Sequence, residues 1–182
     1  SSAWELFKNR IPWLMLLMVT ATFTGMIITA FEGALAAQVA LTAFIPMLMG
    51  TGGNSGSQAS VTIIRALSIG EVEVPDVWRV IWKEFRASLL LGFTLAVACF
   101  LKLILLDGML LGMAGYTWDV SLVVALALFA TVIVAKLVGA VLPILAKLAH
   151  LDPAVVANPF ITTIVDAVSV ILFCGLSILI LG

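Results

Sequence analysis

Asp166 lies inside the run Asn158–Leu181, which holds no other charged residue. An ionisable side chain in such a run costs about 2.5–3.5 kcal/mol on insertion scales and marks a functional site by default. Stepping about 100° per residue from Asn158 places Thr162 near 40°, Asp166 near 80° and Ser169 near 20°, a single polar stripe on an otherwise apolar helix. Asp166 is about 12 Å along the axis from Asn158. A carboxylate among amide and hydroxyl oxygens, with no thiol or imidazole beside it, suits hard cations such as Mg²⁺, Ca²⁺ or Mn²⁺ rather than Zn²⁺ or Cu⁺. Mg²⁺ sheds water reluctantly and takes one or two carboxylates while keeping several waters, so one Asp per chain suffices if chains pair about a twofold axis. Two facing carboxylates repel, and a divalent cation relieves that repulsion better than a monovalent one.

A second constellation is the segment Pro46–Gln58, PMLMGTGGNSGSQ, which places glycines, Asn54 and Gln58 at or near membrane depth. Lipid satisfies neither their polar groups nor any backbone the glycines unwind, so the segment is buried in protein or faces a watery cavity, with Gly53 and Asn54 as candidate lining residues. Close helix packing is the competing account, because Gly52 and Gly56 form a small-xxx-small pair. No Gly-Lys-Ser/Thr follows, which excludes a phosphate loop.

Structural accounts compete for other polar residues too. Asn158-Pro159 is a good helix start, with Asn as N-cap and Pro at the first helical position. Thr162 can bond its own helix carbonyls. A structural ion pair for Asp166 would need Lys136 or Lys102 from another helix. Lys136 sits near the inner end of its span and is expected to snorkel to the boundary. Cys99 and Cys174 read as small buried hydrophobes. His150 is a lone loop His without metal-ligand spacing.

The elements that carry these residues follow from composition. Of 182 residues, 63% are apolar and 10% charged, against roughly 45–50% and 25% in soluble domains. A water-soluble monomer and a disordered chain are excluded. The balance of 9 Lys and Arg against 10 Asp and Glu, net −1, gives no basic excess for a nucleic-acid partner. The expectation is an all-α membrane protein of five transmembrane helices, since about 20 residues cross a core about 30 Å thick. The spans fall at about 11–31, 34–64, 87–106, 119–149 and 158–181. Arg65 to Arg86 reads as an extramembrane connection with some helix. The second run, continued to Gly70, would make a rod of about 55 Å, nearly twice the core thickness, and the fourth must tilt, kink or project. Lys8, Arg10, Arg65, Arg79, Lys83, Arg86 and Lys147 fall on one side and Glu32, Asp107 and Asp119 on the other, with Lys102 near the latter. The expected orientation has the N-terminus cytoplasmic and the C-terminus outside. Ser1-Ser2-Ala3 carries no Met and no cleavable signal, so further segments are expected upstream.

The run Pro46–Gln58 followed by SVTIIRAL (Ser60–Leu67), together with NPFITTIVDAVSV (Asn158–Val170) and five spans, resembles the transmembrane domain of the MgtE family of bacterial magnesium channels over essentially the whole chain. The resemblance implies a homodimeric bundle in the inner (plasma) membrane, with the ion path at the dimer interface between the second and fifth helices. It implies Asp166 as the pore carboxylate, with Asn158, Thr162 and Asn54 nearby, and a transported Mg²⁺ that keeps much of its water; Mn²⁺, Co²⁺ and Ca²⁺ are possible substitutes by their oxygen chemistry. It further implies cytoplasmic regulatory domains, of which residues 1–10 would be the end of a connecting helix and residues 11–182 the pore domain. Two other readings stand beside a channel: a cation/proton-coupled transporter built on a broken second helix, and a non-transporting scaffold. An enzyme is not expected, for want of a base, nucleophile or ligand cluster near Asp166.

Overall fold

The computed structural model describes residues 2–37, 39–112 and 117–182; Ser1, Gln38 and residues 113–116, which include parts of the expected connecting segment and second run, lie outside the described residues. All described regular elements are helical: α1 (Ala3–Ala30), α2 (Glu32–Ala37), a 3₁₀ turn (Val39–Phe44), α3 (Ile45–Ser68), a 3₁₀ turn (Val74–Asp76), α4 (Val77–Leu101), a π-helical extension (Lys102–Leu110), α5 (Trp118–Leu148) and α6 (Pro153–Leu181). Four helical stretches among the described residues are long and apolar enough to cross a membrane: Ala3–Ala30, Val74–Leu110, Trp118–Leu148 and Ala157–Leu181. Helix α3, 24 residues long, is not among them, because Gly, Ser, Asn and Gln dilute its apolar run.

Several element boundaries differ from those the sequence suggests. The second run is not one rod. Short helical turns over Glu32–Ala37 and Val39–Phe44 precede an α-helix that starts only at Ile45, with Pro46 in its first turn. That helix continues through Gly50, Gly52, Gly53 and Gly56 without unwinding. Pro in a first turn costs nothing, because the N–H it lacks has no intrahelical acceptor there. The helix that carries the third span begins at Val77, so its first turns are the helical part of the connecting stretch Arg65 to Arg86. Helix α1 crosses residue 10 unbroken, so no break separates a connecting helix from the first span.

Helix α6 starts at Pro153, with the Asp152 carboxylate accepting from the Ala154 N–H at 3.0 Å. The capping account of Asn158 therefore fails, and Asn158-Pro159 lies inside the helix. Two similar turns end α3 and α5: Gly70 (φ 78°) and His150 (φ 59°) take the left-handed conformation. Behind each, a 6→1 bond runs to Ala66 or Ala146, respectively. His150 is thus a turn residue, a position Gly usually fills.

Helix α5 is the hub. It packs against α3, α4 and α6 and buries side chains from Val120 to Ala146, while α1 lies chiefly on α6 and buries Thr24 alone. One apolar cluster joins Leu48, Val124, Leu128, Val132 and Phe173, and a second joins Ala59, Ile63, Ala140 and Ile144. Between them the helices touch through small residues. A Cβ on Gly52 would lie 2.7 Å from both Thr131 Cγ2 and Val165 Cγ1, and one on Gly56 2.8 Å from Ile161 Cγ2 and 3.1 Å from the Ala135 carbonyl oxygen. Four residues forward on α3 correspond to four forward on α5 and four back on α6. Helix α3 therefore runs parallel to α5 and antiparallel to α6.

Candidate ion-binding face

This register sets the heights of the candidate residues. Asp166 follows Val165, which meets Gly52, so Asp166 stands near the Thr51–Gly52 level of α3. Thr162 stands near Asn54 and Ser55, and Asn158 near Gln58. Close helix packing accounts for one face of the glycine segment and leaves the other face of the same helix unpacked. Gly52 and Gly56 face α5 and α6, whereas a Cβ on Gly50 or Gly53 would meet nothing within 4 Å. The free side of α3 repeats every four residues as Pro46, Gly50, Asn54, Gln58 and Thr62, all exposed in the single chain. On α6, Asn158 and Thr162 are exposed and Asp166 is half-buried.

The Asp166 carboxylate has no hydrogen-bond or ion-pair partner among the described residues, its backbone carbonyl alone accepting a side-chain bond. The two lysines that could have neutralised it are engaged elsewhere. The Lys136 ammonium lies 3.9 Å from Glu84 Oε2, with both side chains largely buried. The Lys102 ammonium donates to Asp107 Oδ2 at 3.0 Å. Lys136 does reach toward the basic end of the bundle, as snorkelling requires, but it ends on a carboxylate of α4 rather than in water. The Lys102–Asp107 pair depends on the π-helical extension, whose i→i+5 hydrogen bonding widens the turn and brings residues five apart together. Among the described residues, no three His, Cys, Asp or Glu side chains cluster as a metal cage. Any cation held at Asp166 would therefore rely on neutral oxygens, water or a second chain for its remaining ligands.

Ser169 differs from the rest of the stripe. It is fully buried and donates to the Asp166 carbonyl at 2.9 Å, so in the single chain its hydroxyl is occupied with its own helix. Thr162 makes no such back-bond. Thr163 does, donating to the Pro159 carbonyl at 2.9 Å, and its hydroxyl also lies 2.9 Å from the Thr20 hydroxyl of α1. Sequence reasoning missed Thr163 because residues 143 apart leave no trace in helical periodicity. Cys99 and Cys174 are free and buried, as expected of small hydrophobes.

Residues 45–176 match the family model MgtE, described as a divalent cation transporter. The chain is 38% identical over 178 residues to the magnesium transporter MgtE of Thermus thermophilus, covering 97% of this chain and 37% of that protein. It is 36% identical over 169 residues to the magnesium transporter MgtE of Bacillus subtilis, covering 93% of this chain and 36% of that protein. A third relative, the magnesium transporter MgtE of Enterococcus faecalis, is 26% identical over 170 residues. The chain thus spans about a third of the length of the curated relatives it matches. With all of the polar face from Pro46 to Ser169 inside the matched segment, the chain belongs to the MgtE family of divalent cation transporters.

Proposed function

We propose that this chain is the pore-forming part of a Mg²⁺ channel, with Asp166 as the carboxylate that selects and passes a largely hydrated ion. The observation that carries the reading is the isolation of the Asp166 carboxylate: it is half-buried in an apolar helix, and Lys102 and Lys136, the lysines within the spans, are occupied by other acids. Leaving a carboxylate, Asn54, Gln58, Asn158 and Thr162 against lipid is costly. A second copy related by a twofold axis, with α3 and α6 of both chains around a water-filled path, removes that cost and sets two Asp166 carboxylates about one axis. In this arrangement α3 is a fifth span whose polar side lines the path rather than meeting lipid. Gly50 and Gly53, having no side chain on that side, leave room for the ion's water shell. In this reading the end that carries Arg65, Lys83 and Lys147 faces the cytoplasm across the inner membrane, as the positive-inside tendency favours, with the N-terminus inside and the C-terminus outside. Cytoplasmic regulatory domains of the kind the family resemblance implies would join at α1.

The unbroken helix through Gly50–Gly56 favours a channel over a proton-coupled transporter, because alternating-access sites are typically built on helices broken at membrane depth. The test is Mg²⁺ uptake into proteoliposomes with the wild-type chain and Asp166→Asn. Loss of uptake with dimer formation retained supports the assignment; undiminished selective uptake removes it. Single-channel openings in planar bilayers separate the channel from a transporter, and a wild type without any cation flux would leave only a scaffold.

A further inference from the structure

Helix α1 is held by partly buried apolar residues such as Ile27 and Ile28 and by one polar seam. Thr24 is its single buried residue. Among the described residues, Thr20–Thr163 is the only hydrogen bond between side chains of two different helices. Three contacts meet at this pair: Thr163 with the Pro159 carbonyl at 2.9 Å, Thr163 with Thr20 at 2.9 Å, and Thr20 with the Leu17 carbonyl at 3.0 Å. Each hydroxyl has one proton to give, so two protons serve three contacts. In one arrangement Thr163 donates to Pro159 while Thr20 donates to Thr163. In the other, Thr163 donates to Thr20 while Thr20 donates to Leu17, and the Pro159 carbonyl loses the hydroxyl. The seam can switch between them without breaking.

Thr163 stands one turn before Asp166 and about 60° round the helix from it, and it follows Thr162 directly. Pro159 follows Asn158 directly. The seam therefore borders the polar stripe over its first turns, beside Asn158 and Thr162. We propose that Thr163 is a positioning residue for ion passage: its hydroxyl sets how α1 lies against α6 and thereby the placement of Asn158, Thr162 and Asp166. The proposal rests on the ion path assigned above. A shift of α1 is transmitted through the Thr20–Thr163 pair to the backbone at Pro159, and the isosteric loss of either hydroxyl uncouples the two helices.

The test is the initial rate of Mg²⁺ uptake, as a function of Mg²⁺ concentration, into proteoliposomes holding the wild-type chain, Thr163→Val, Thr163→Ser, Thr20→Val, the double Val variant or Asp166→Asn. Each single Val variant is expected to lower the maximal rate about five-fold, the equivalent of one ordinary hydrogen bond, with the half-saturating concentration unchanged. The double variant is expected to be no slower than the slower single, and Thr163→Ser to lie within two-fold of wild type. Thr20→Val changes a residue on another helix, so the proposal stays falsifiable if Thr163→Val fails to fold. A wild-type rate in either Val variant, losses that multiply in the double variant, or a Ser variant as slow as Val would overturn the proposal. Undiminished uptake in Asp166→Asn would instead overturn the ion path while leaving the coupling between the two threonines readable from the same set.

Discussion

The carbonyl oxygen of Gly56 occupies the place where a Cβ on Gly139 would stand. The obstacle is backbone, which cannot rotate away as a side-chain tip can. Gly139→Ala is therefore expected to pry α3 from α5 and cost at least the about 1–3 kcal/mol typical of overpacking. Gly50→Ala, which meets nothing within 4 Å, should instead gain about 0.5–1 kcal/mol from the better helix former. Thermal unfolding in detergent compares the two, and equal effects would refute the facial division of the glycine segment.

The Lys136–Glu84 pair joins α5 to α4 with side-chain exposures of 9% and 15%. Removing one partner leaves the other charge largely buried and unpaired. Glu84→Gln or Lys136→Met alone should destabilise the bundle by about 3 kcal/mol, whereas replacing both with apolar residues of similar size should recover much of that loss. A double-mutant cycle on the unfolding midpoint checks this, and additive losses would show that the two side chains do not interact.

A cation that binds the folded chain raises its stability by mass action. At ten times the dissociation constant the gain is about 1.4 kcal/mol. The wild type should melt later as MgCl₂ is added, and Asp166→Asn should not respond. Na⁺ at matched ionic strength is the control, since a general salt effect would move both proteins alike.

The register of the α6 stripe was legible because it is local: helical periodicity alone puts Asn158, Thr162 and Asp166 on adjoining positions, whereas the full burial of Ser169 depends on packing that periodicity does not contain. The glycine segment was half legible. Its polarity announced a site, but whether Gly52 or Gly53 faced a neighbour depended on the register with Thr131 and Val165, which no local pattern contains. Tertiary partners were out of reach altogether. Lys136 finds Glu84, and Thr163 finds Thr20, across spacings set by packing. The π-helical extension was hidden for another reason: Lys102 and Asp107 are five apart, a spacing that an α-helix does not bring together, so the pair was invisible to a reading at 3.6 residues per turn.

The start of α6 separates two roles that sequence alone leaves entangled in Asn158. Asp152 holds the cap, through its 3.0 Å bond from the Ala154 N–H, and Asp152→Ala should cost about 1 kcal/mol of stability. Its Mg²⁺ uptake, measured well below the melting point, should stay near wild type. Asn158 lies one and a half turns further in, exposed and free of any capping bond. Asn158→Ala should therefore leave the unfolding midpoint unchanged or slightly raised, because Ala is the better helix former, while slowing uptake through loss of an amide from the polar stripe. The converse result, a less stable Asn158→Ala with normal uptake, would return Asn158 to a purely structural role and narrow the ion-binding face to Asp166, Thr162 and the free side of α3.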